Sequence, residues 1–163
     1  MKITKDYEGL VQIENGDYVL EGDLISDAEI EIDLDDRLVV KGKIEAKTYI
    51  KAGLGIKAGL GIEAGGGIKA GGGIKAGWGI EAGLGIEAGG GIKAGCGIKA
   101  GLGIEAKTFI DVRLRIFAGT SIYRSSSECC KIITCAELRC GEICYGDLII
   151  TKKEDKKEMQ SEI

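Results

Sequence analysis

The chemistry open to this chain is bounded first by what it lacks. Its 163 residues include six Cys but no His and no Pro. Without imidazole there is no Ser/His/Asp or Cys/His pair for nucleophilic catalysis, no His metal ligand and no switch titrating near neutrality. Five cysteines, Cys129, Cys130, Cys135, Cys140 and Cys144, crowd together near the C-terminus. The metal chemistry on offer is an all-Cys zinc site drawn from Cys130, Cys135, Cys140 and Cys144. Their spacings do not form the usual C-x2-C knuckles, so small apolar filling of a β-structure is the simpler expectation, as it is for Cys96. No catalytic residue and no cofactor are expected, and the chain reads as a non-enzyme.

Two other clusters point to binding. From Ala28 to Asp36, apolar and acidic residues alternate, which on one strand puts Glu29, Glu31, Asp33 and Asp35 in a single row. Such a row could dock a basic protein, for example one that otherwise holds nucleic acid. Alternatively it is a solvated face neutralised by Lys41, Lys43 and Lys47. The second cluster, Arg113, Arg115, Phe117, Tyr123 and Arg124, mixes guanidinium groups with rings, as partner-binding surfaces do. Direct nucleic-acid binding is not expected. The net charge is −4, and residues 1–43 carry 12 acidic and 5 basic residues, net −7.

The elements that must position these residues are written in a hexad. Ile recurs every six residues from Ile44 to Ile122, and Ala follows two positions later through most of that span. The consensus is G-I-(K/E)-A-G-x. Residues 59–82 and 83–106 agree everywhere except Gly72/Cys96 and Trp78/Leu102, a duplicated block of four hexads. Six is a multiple of the strand period and a poor match to 3.6, so each hexad reads as a short strand plus a corner. Ile, Ala and the variable residue are expected inward, the charge outward, and the glycines at corners needing positive φ. Trp78 is therefore expected in the core. Phe117, standing where nearly every earlier hexad has a charge, is expected as an exposed ring.

The stack is an all-β, single-stranded β-solenoid. Three hexads per coil give an 18-residue triangle, and two give a 12-residue flattened coil. Core volumes favour the triangle, because Gly66 and Gly72 would make room for Trp78 in one layer. Charge ladders favour the flattened coil, because a spacing of 18 stacks Lys57, Lys75 and Lys93. Core volumes carry more energy, so the triangle is preferred. Residues 1–20 are expected to cap one end, 21–123 to form the solenoid and 124–151 to form a Cys-rich β-hairpin cap turning at Cys140-Gly141. The charged tail, 152–163, is expected to be flexible. No run is long enough to span a bilayer, and MKITKDYEGL lacks the apolar stretch of a secretory signal, so a cytoplasmic protein is expected.

Three resemblances bear on function. The hexads superficially resemble left-handed β-helix acyltransferases, but those enzymes use a catalytic His, which this chain lacks. The segment Val39-Val40-Lys41-Gly42-Lys43-Ile44-Glu45-Ala46-Lys47 resembles bactofilins over residues 18–52, which implies a self-assembling structural protein. The G-I-(K/E)-A-G-x pattern, with Leu114-Arg115-Ile116-Phe117-Ala118-Gly119 and Cys144-Tyr145-Gly146, resembles small repeat proteins of phages and mobile elements in gut bacteria. That likeness implies an accessory protein binding a macromolecular partner in a bacterial host. Inhibitors of host defence, such as anti-CRISPR proteins, are common in that setting. A homo-oligomer is compatible with each of these readings.

Overall fold

The computed structural model describes residues 1–120 and 131–151. The chain is all-β and winds as a parallel β-solenoid whose repeating coil is 18 residues long, three hexads to a triangular turn. Each hexad contributes a three-residue strand, Ile-Lys/Glu-Ala, with Ile and Ala buried and the charge pointing out. The first face stacks eight strands, from Lys2–Ile3 through Ile30–Ile32, Ile68–Ala70 and Ile104–Ala106 to Asp147–Ile150. The second face stacks Tyr18–Leu20, Leu38–Val40 and Ile56–Ala58 upward, and the third begins at Leu24–Ser26 and Ile44–Ala46. Faces two and three join near the top, where Phe109–Ala118 runs through both as one strand.

The core is a triple column of stacked Ile and Ala, with the repeat Ile residues at most 1 % exposed. Parallel register puts each Ile on the Ile of the next coil, so β-branched side chains repeat their packing from layer to layer. The variable hexad residue does not join this core. The strand alternation stops after three residues, and G-x-G bends around the corner with x pointing outward. Trp78, expected in the core, is 61 % exposed, and Cys96 is exposed as well. The coil is therefore the expected triangle, but the corner residues do not fill its core layers. The Lys57–Lys75–Lys93 ladder that spoke against it is present on the second face.

The corner glycines also have a different cause from the one expected. Among the described residues only six glycines have positive φ, and none lies in the regular hexads. A Cβ at the first glycine of a corner would overlap the carbonyl oxygen of the coil below, as at Gly71 on Gly53 and Gly77 on Gly59. Glycine at these positions lets coils stack corner on corner, although Lys41, Lys47 and Lys107 hold the equivalent position with the bend kept. Where Arg113 replaces that glycine, the corner opens into the continuous strand Phe109–Ala118.

Both ends depart from the regular coil. At the N-terminal end, strand Leu10–Gln12 pairs antiparallel with Tyr18–Leu20 and covers the edge of the second face. The C-terminal segment is not a hairpin. Ile132–Cys135, Glu137–Tyr145 and Asp147–Ile150 all pair parallel with the coils below and continue the solenoid. Gly141, with φ of 123°, turns a corner and does not reverse the chain. Residues 121–130, which include the start of the expected 124–151 cap, and the tail 152–163 lie outside the described residues. Among the described residues no helix is long and apolar enough to cross a membrane.

Candidate partner-binding groove

Corner stacking turns the variable residues into columns running along the rod. At the corner between faces two and three, Leu60, Trp78, Cys96 and Leu114 stand one above another. Each backbone N–H donates to the carbonyl below it: Leu60 to Gly42 (3.1 Å), Trp78 to Leu60 (3.2 Å), Cys96 to Trp78 (3.0 Å) and Leu114 to Cys96 (2.9 Å). The ladder fixes the spacing of the side chains and makes an apolar ridge, with Trp78 and Leu114 61 % and 59 % exposed. The corner between faces one and two carries Leu54, Gly72, Gly90 and Thr108 in the same positions, so no comparable ridge forms there.

Beside the ridge, on face three, lies a groove of about 920 Å³. Its floor is the second corner glycine of each coil, Gly61, Gly79 and Gly97, whose missing side chains leave the backbone bare. One wall is the ridge. The other is the outward row Glu63, Glu81, Lys99 and Phe117, aligned by parallel register. The groove crosses six coil levels from Lys43 to Glu142, roughly 24 Å at ~4.8 Å per level. That length fits about seven residues of extended chain.

Three of its charges are already paired: Lys43 with Glu45 (2.6 Å), and Lys99 and Glu81 with each other (2.6 Å). Glu45 and its neighbours hold the Lys43 ammonium above its usual range, chiefly through that hydrogen bond. Glu63, Arg113 and Arg115 have no ion-pair partner within salt-bridge distance among the described residues. Arg115 stands in register beside Glu142 on the next strand. Among the described residues the groove thus has an acid without an ion-pair partner toward one end, guanidinium groups without one toward the other, and an exposed indole between them. A smaller groove of about 500 Å³ lies on face one, between Tyr49 and Leu84 at the corner and an outward row that includes Lys69 and Glu87.

Of the residues singled out from sequence, Arg113, Arg115 and Phe117 line the large groove. Phe117 is half-buried there, not a free ring. Tyr123, Arg124, Cys129 and Cys130 lie outside the described residues. The acidic residues are on another face and do not meet this cluster. Only Ile30–Ile32 of that segment is strand; the chain then turns a longer corner with Leu34 buried. Glu29, Glu31, Asp33 and Asp35 are exposed, and the neutralising lysines are not the expected ones. Lys2 pairs with Asp33 (2.9 Å) and Lys5 with Asp35 (2.6 Å), while Lys43 is engaged by Glu45. The Lys5 hydrogen bond, and after it that from the Tyr18 hydroxyl (2.7 Å), hold the Asp35 carboxyl below the usual range.

The described cysteines, Cys96, Cys135, Cys140 and Cys144, do not form a metal-binding group. Cys135 is fully buried in the first face, and burial pushes its thiol up. Cys140 and Cys144 are exposed on the last coil. Among the described residues no three metal-capable side chains come together. Sequence reading missed Trp78, Leu60 and Leu114 as site residues because it sent the variable position inward. The available signal was the Gly on either side of it, which ends the strand alternation.

No family model matches the chain, and neither curated proteins nor solved structures give a match.

Proposed function

We propose that this protein is a non-catalytic β-solenoid that binds a partner protein by seating an extended segment of it along the face-three groove. The carrying observation is the ridge-and-groove pair itself, with Trp78 61 % exposed beside a floor of bare glycines. An exposed indole, with guanidinium groups toward one end of the groove that have no ion-pair partner among the described residues, has the composition of a binding surface. The segment that fits has apolar side chains to lie against Leu60, Trp78 and Leu114, a basic residue for Glu63, and an acidic residue for Arg113 or Arg115. Inhibition of a host defence protein is the biological setting we propose for this binding, and it rests on the repeat resemblance alone.

A photo-crosslinking residue placed at position 114 or 63 tests the site, with position 75 on face two as control. Expected is a crosslinked partner, recovered from the native host, from the groove positions only. The Trp78→Ala variant should lose that partner and keep the melting temperature of the parent, because the ring is exposed. Crosslinks equally frequent from position 75, or capture unaffected by Trp78→Ala, would overturn the reading.

A further inference from the structure

The two ends of the rod are protected differently. At the N-terminal end the outermost strands have two or three residues, the Leu10–Gln12 strand covers one of them, and Lys2 and Lys5 are paired along the rim. Short, charged, covered edges are how proteins avoid edge-to-edge pairing. At the C-terminal end the outermost strands are Glu137–Tyr145, nine residues that turn a corner at Gly141 and shift register three times against Phe109–Ala118, and Asp147–Ile150, four residues; Arg139–Glu137 and Lys131–Asp147 are ion pairs on this rim. Among the described residues no strand pairs with their outer edges. Every residue of Asp147–Ile150 is exposed, including Leu148, Ile149 and Ile150.

We infer that this end pairs with the same end of a second copy about a two-fold axis, giving a closed dimer of two rods end to end. Two coils meeting in this way present antiparallel strands to each other. The register follows from which side chains face in. Leu138 and Ile143 sit over the buried Ile110 and Ile116, while Glu142 and Arg139, which bonds Glu137 (2.9 Å) and stacks on the Phe109 ring, are exposed. An antiparallel register setting Leu138 opposite the partner's Ile143 therefore sets Arg139 opposite the partner's Glu142. A register one residue away opposes Arg139 to Ile143 and mixes inward with outward residues. On face one, Leu148 and Ile150 lie over the buried Ile133 and Cys135, and pairing Leu148 with the partner's Ile150 puts Ile149 on the axis. Both registers share one axis, entering at the Cys140–Gly141 corner and leaving through the middle of face one.

Self-complementarity is what selects a second copy as the occupant. The chain's own tail, 152–163, offers only Met159 and Ile163 as large apolar residues against eight charges, a poor match for Leu148 and Ile150. The axis also passes through the ridge corner. The two ridges would run on into one another, with one groove on each flank, so the dimer presents two binding sites on a single spine. The pairing does not depend on the grooves being occupied, and a failure of either reading leaves the other standing.

Sedimentation velocity on the full chain tests the dimer. Expected is a species of twice the 17.1 kDa chain mass that does not grow further with concentration. Arg139→Glu alone and Glu142→Arg alone should each give the monomer, since each opposes like charges twice across the axis. The double variant R139E/E142R should restore the dimer, which a merely misfolded single variant would not do. A monomer at concentrations up to about 100 µM would overturn the inference, whether or not removing 152–163 releases a dimer. A mass that climbs without limit, or failure of the charge swap to restore pairing, would overturn it as well.

Discussion

Gly77, Trp78 and Gly79 are consecutive corner residues, and the stacking argument assigns each a different response to alanine. At Gly77 a Cβ would overlap the Gly59 carbonyl oxygen of the coil below. The clash is with backbone, so no rotamer change relieves it; the coils must separate locally by about an ångström. Separation breaks the inter-coil hydrogen bonds from Gly77 N–H to the Ala58 carbonyl (3.1 Å) and from Trp78 N–H to the Leu60 carbonyl (3.2 Å). Each is worth ~0.5–1.5 kcal/mol, and overpacking strain adds ~1–3 kcal/mol. Set against this is ~0.4–1 kcal/mol from the lower entropy of the unfolded chain. Gly77→Ala should therefore cost about 1–6 kcal/mol, centred on ~3 kcal/mol. At Gly79 the nearest atom to an added Cβ is the Gly97 oxygen at 3.4 Å, an ordinary contact, and φ is not positive. Gly79→Ala should lie between no effect and ~1 kcal/mol of stabilisation. Urea unfolding followed by circular dichroism reads the difference. A loss of ~3 kcal/mol moves the midpoint by about 1–3 M, at ~1–3 kcal/mol/M. Equal midpoint shifts for Gly77→Ala and Gly79→Ala, or a milder effect at Gly77, would refute the stacking account of the corner glycines.

Ile80→Ala, in a core column where Ile80 is 1 % exposed, should cost about 2–5 kcal/mol in the same unfolding assay. Asp17, with its side chain 9 % exposed and paired to Arg37, has its carboxyl held below the usual range chiefly by that hydrogen bond. Its folded pKa lies below the unfolded one, so its contribution is present above the unfolded value of ~3.9 and is lost as pH falls through the folded value. Asp17→Asn should cost about 1–2 kcal/mol at neutral pH, and the gap to the parent should close in acid, as thermal melts across that range would show. Brief alkylation followed by peptide mapping should label Cys96, Cys140 and Cys144 and spare Cys135, which is fully buried with its thiol pushed up.

The architecture was legible because one residue type carries it. Ile at every sixth position admits strands and excludes a helix, and three hexads close a triangle. What failed was the extension of strand alternation across the corner. Ile80, Glu81 and Ala82 obey it, but Gly77-Trp78-Gly79 turns the chain, and Trp78 points out. The C-terminal misreading has a similar origin. Ile133, Leu138, Ile143 and Leu148 recur every five residues, as do Ala136, Gly141 and Gly146. The solenoid continues there with shorter sides, and the positive φ of Gly141 and Gly146 makes the tighter corners. A period of five in place of six, with apolar runs on either side of Cys140-Gly141, reads locally as a hairpin. The acidic segment failed for a further reason: its partners, Lys2 and Lys5, sit 31 and 30 residues away, and only the stacking of Lys2–Ile3 on Ile30–Ile32 brings them close.

The repeat itself explains why the groove lies where it does. Ile, Ala and both glycines are held by the core and by coil stacking, so the corner residue x is the position free to vary. The duplicated block is four hexads long and a coil is three, so each copy lands one face further round than the last. Residues that correspond in sequence therefore do not stack: Leu60 answers to Leu84, and Trp78 to Leu102, at the next corner. Gly72 answers to Cys96, and an unaltered copy would have put a bare glycine on the ridge, between Trp78 and Leu114. The two positions where the copies disagree are the pairs containing Cys96 and Trp78, and both of those residues stand on the ridge. The other members of the two pairs, Gly72 and Leu102, stand at the other two corners. Each departure leaves a larger side chain in the one column that walls the large groove.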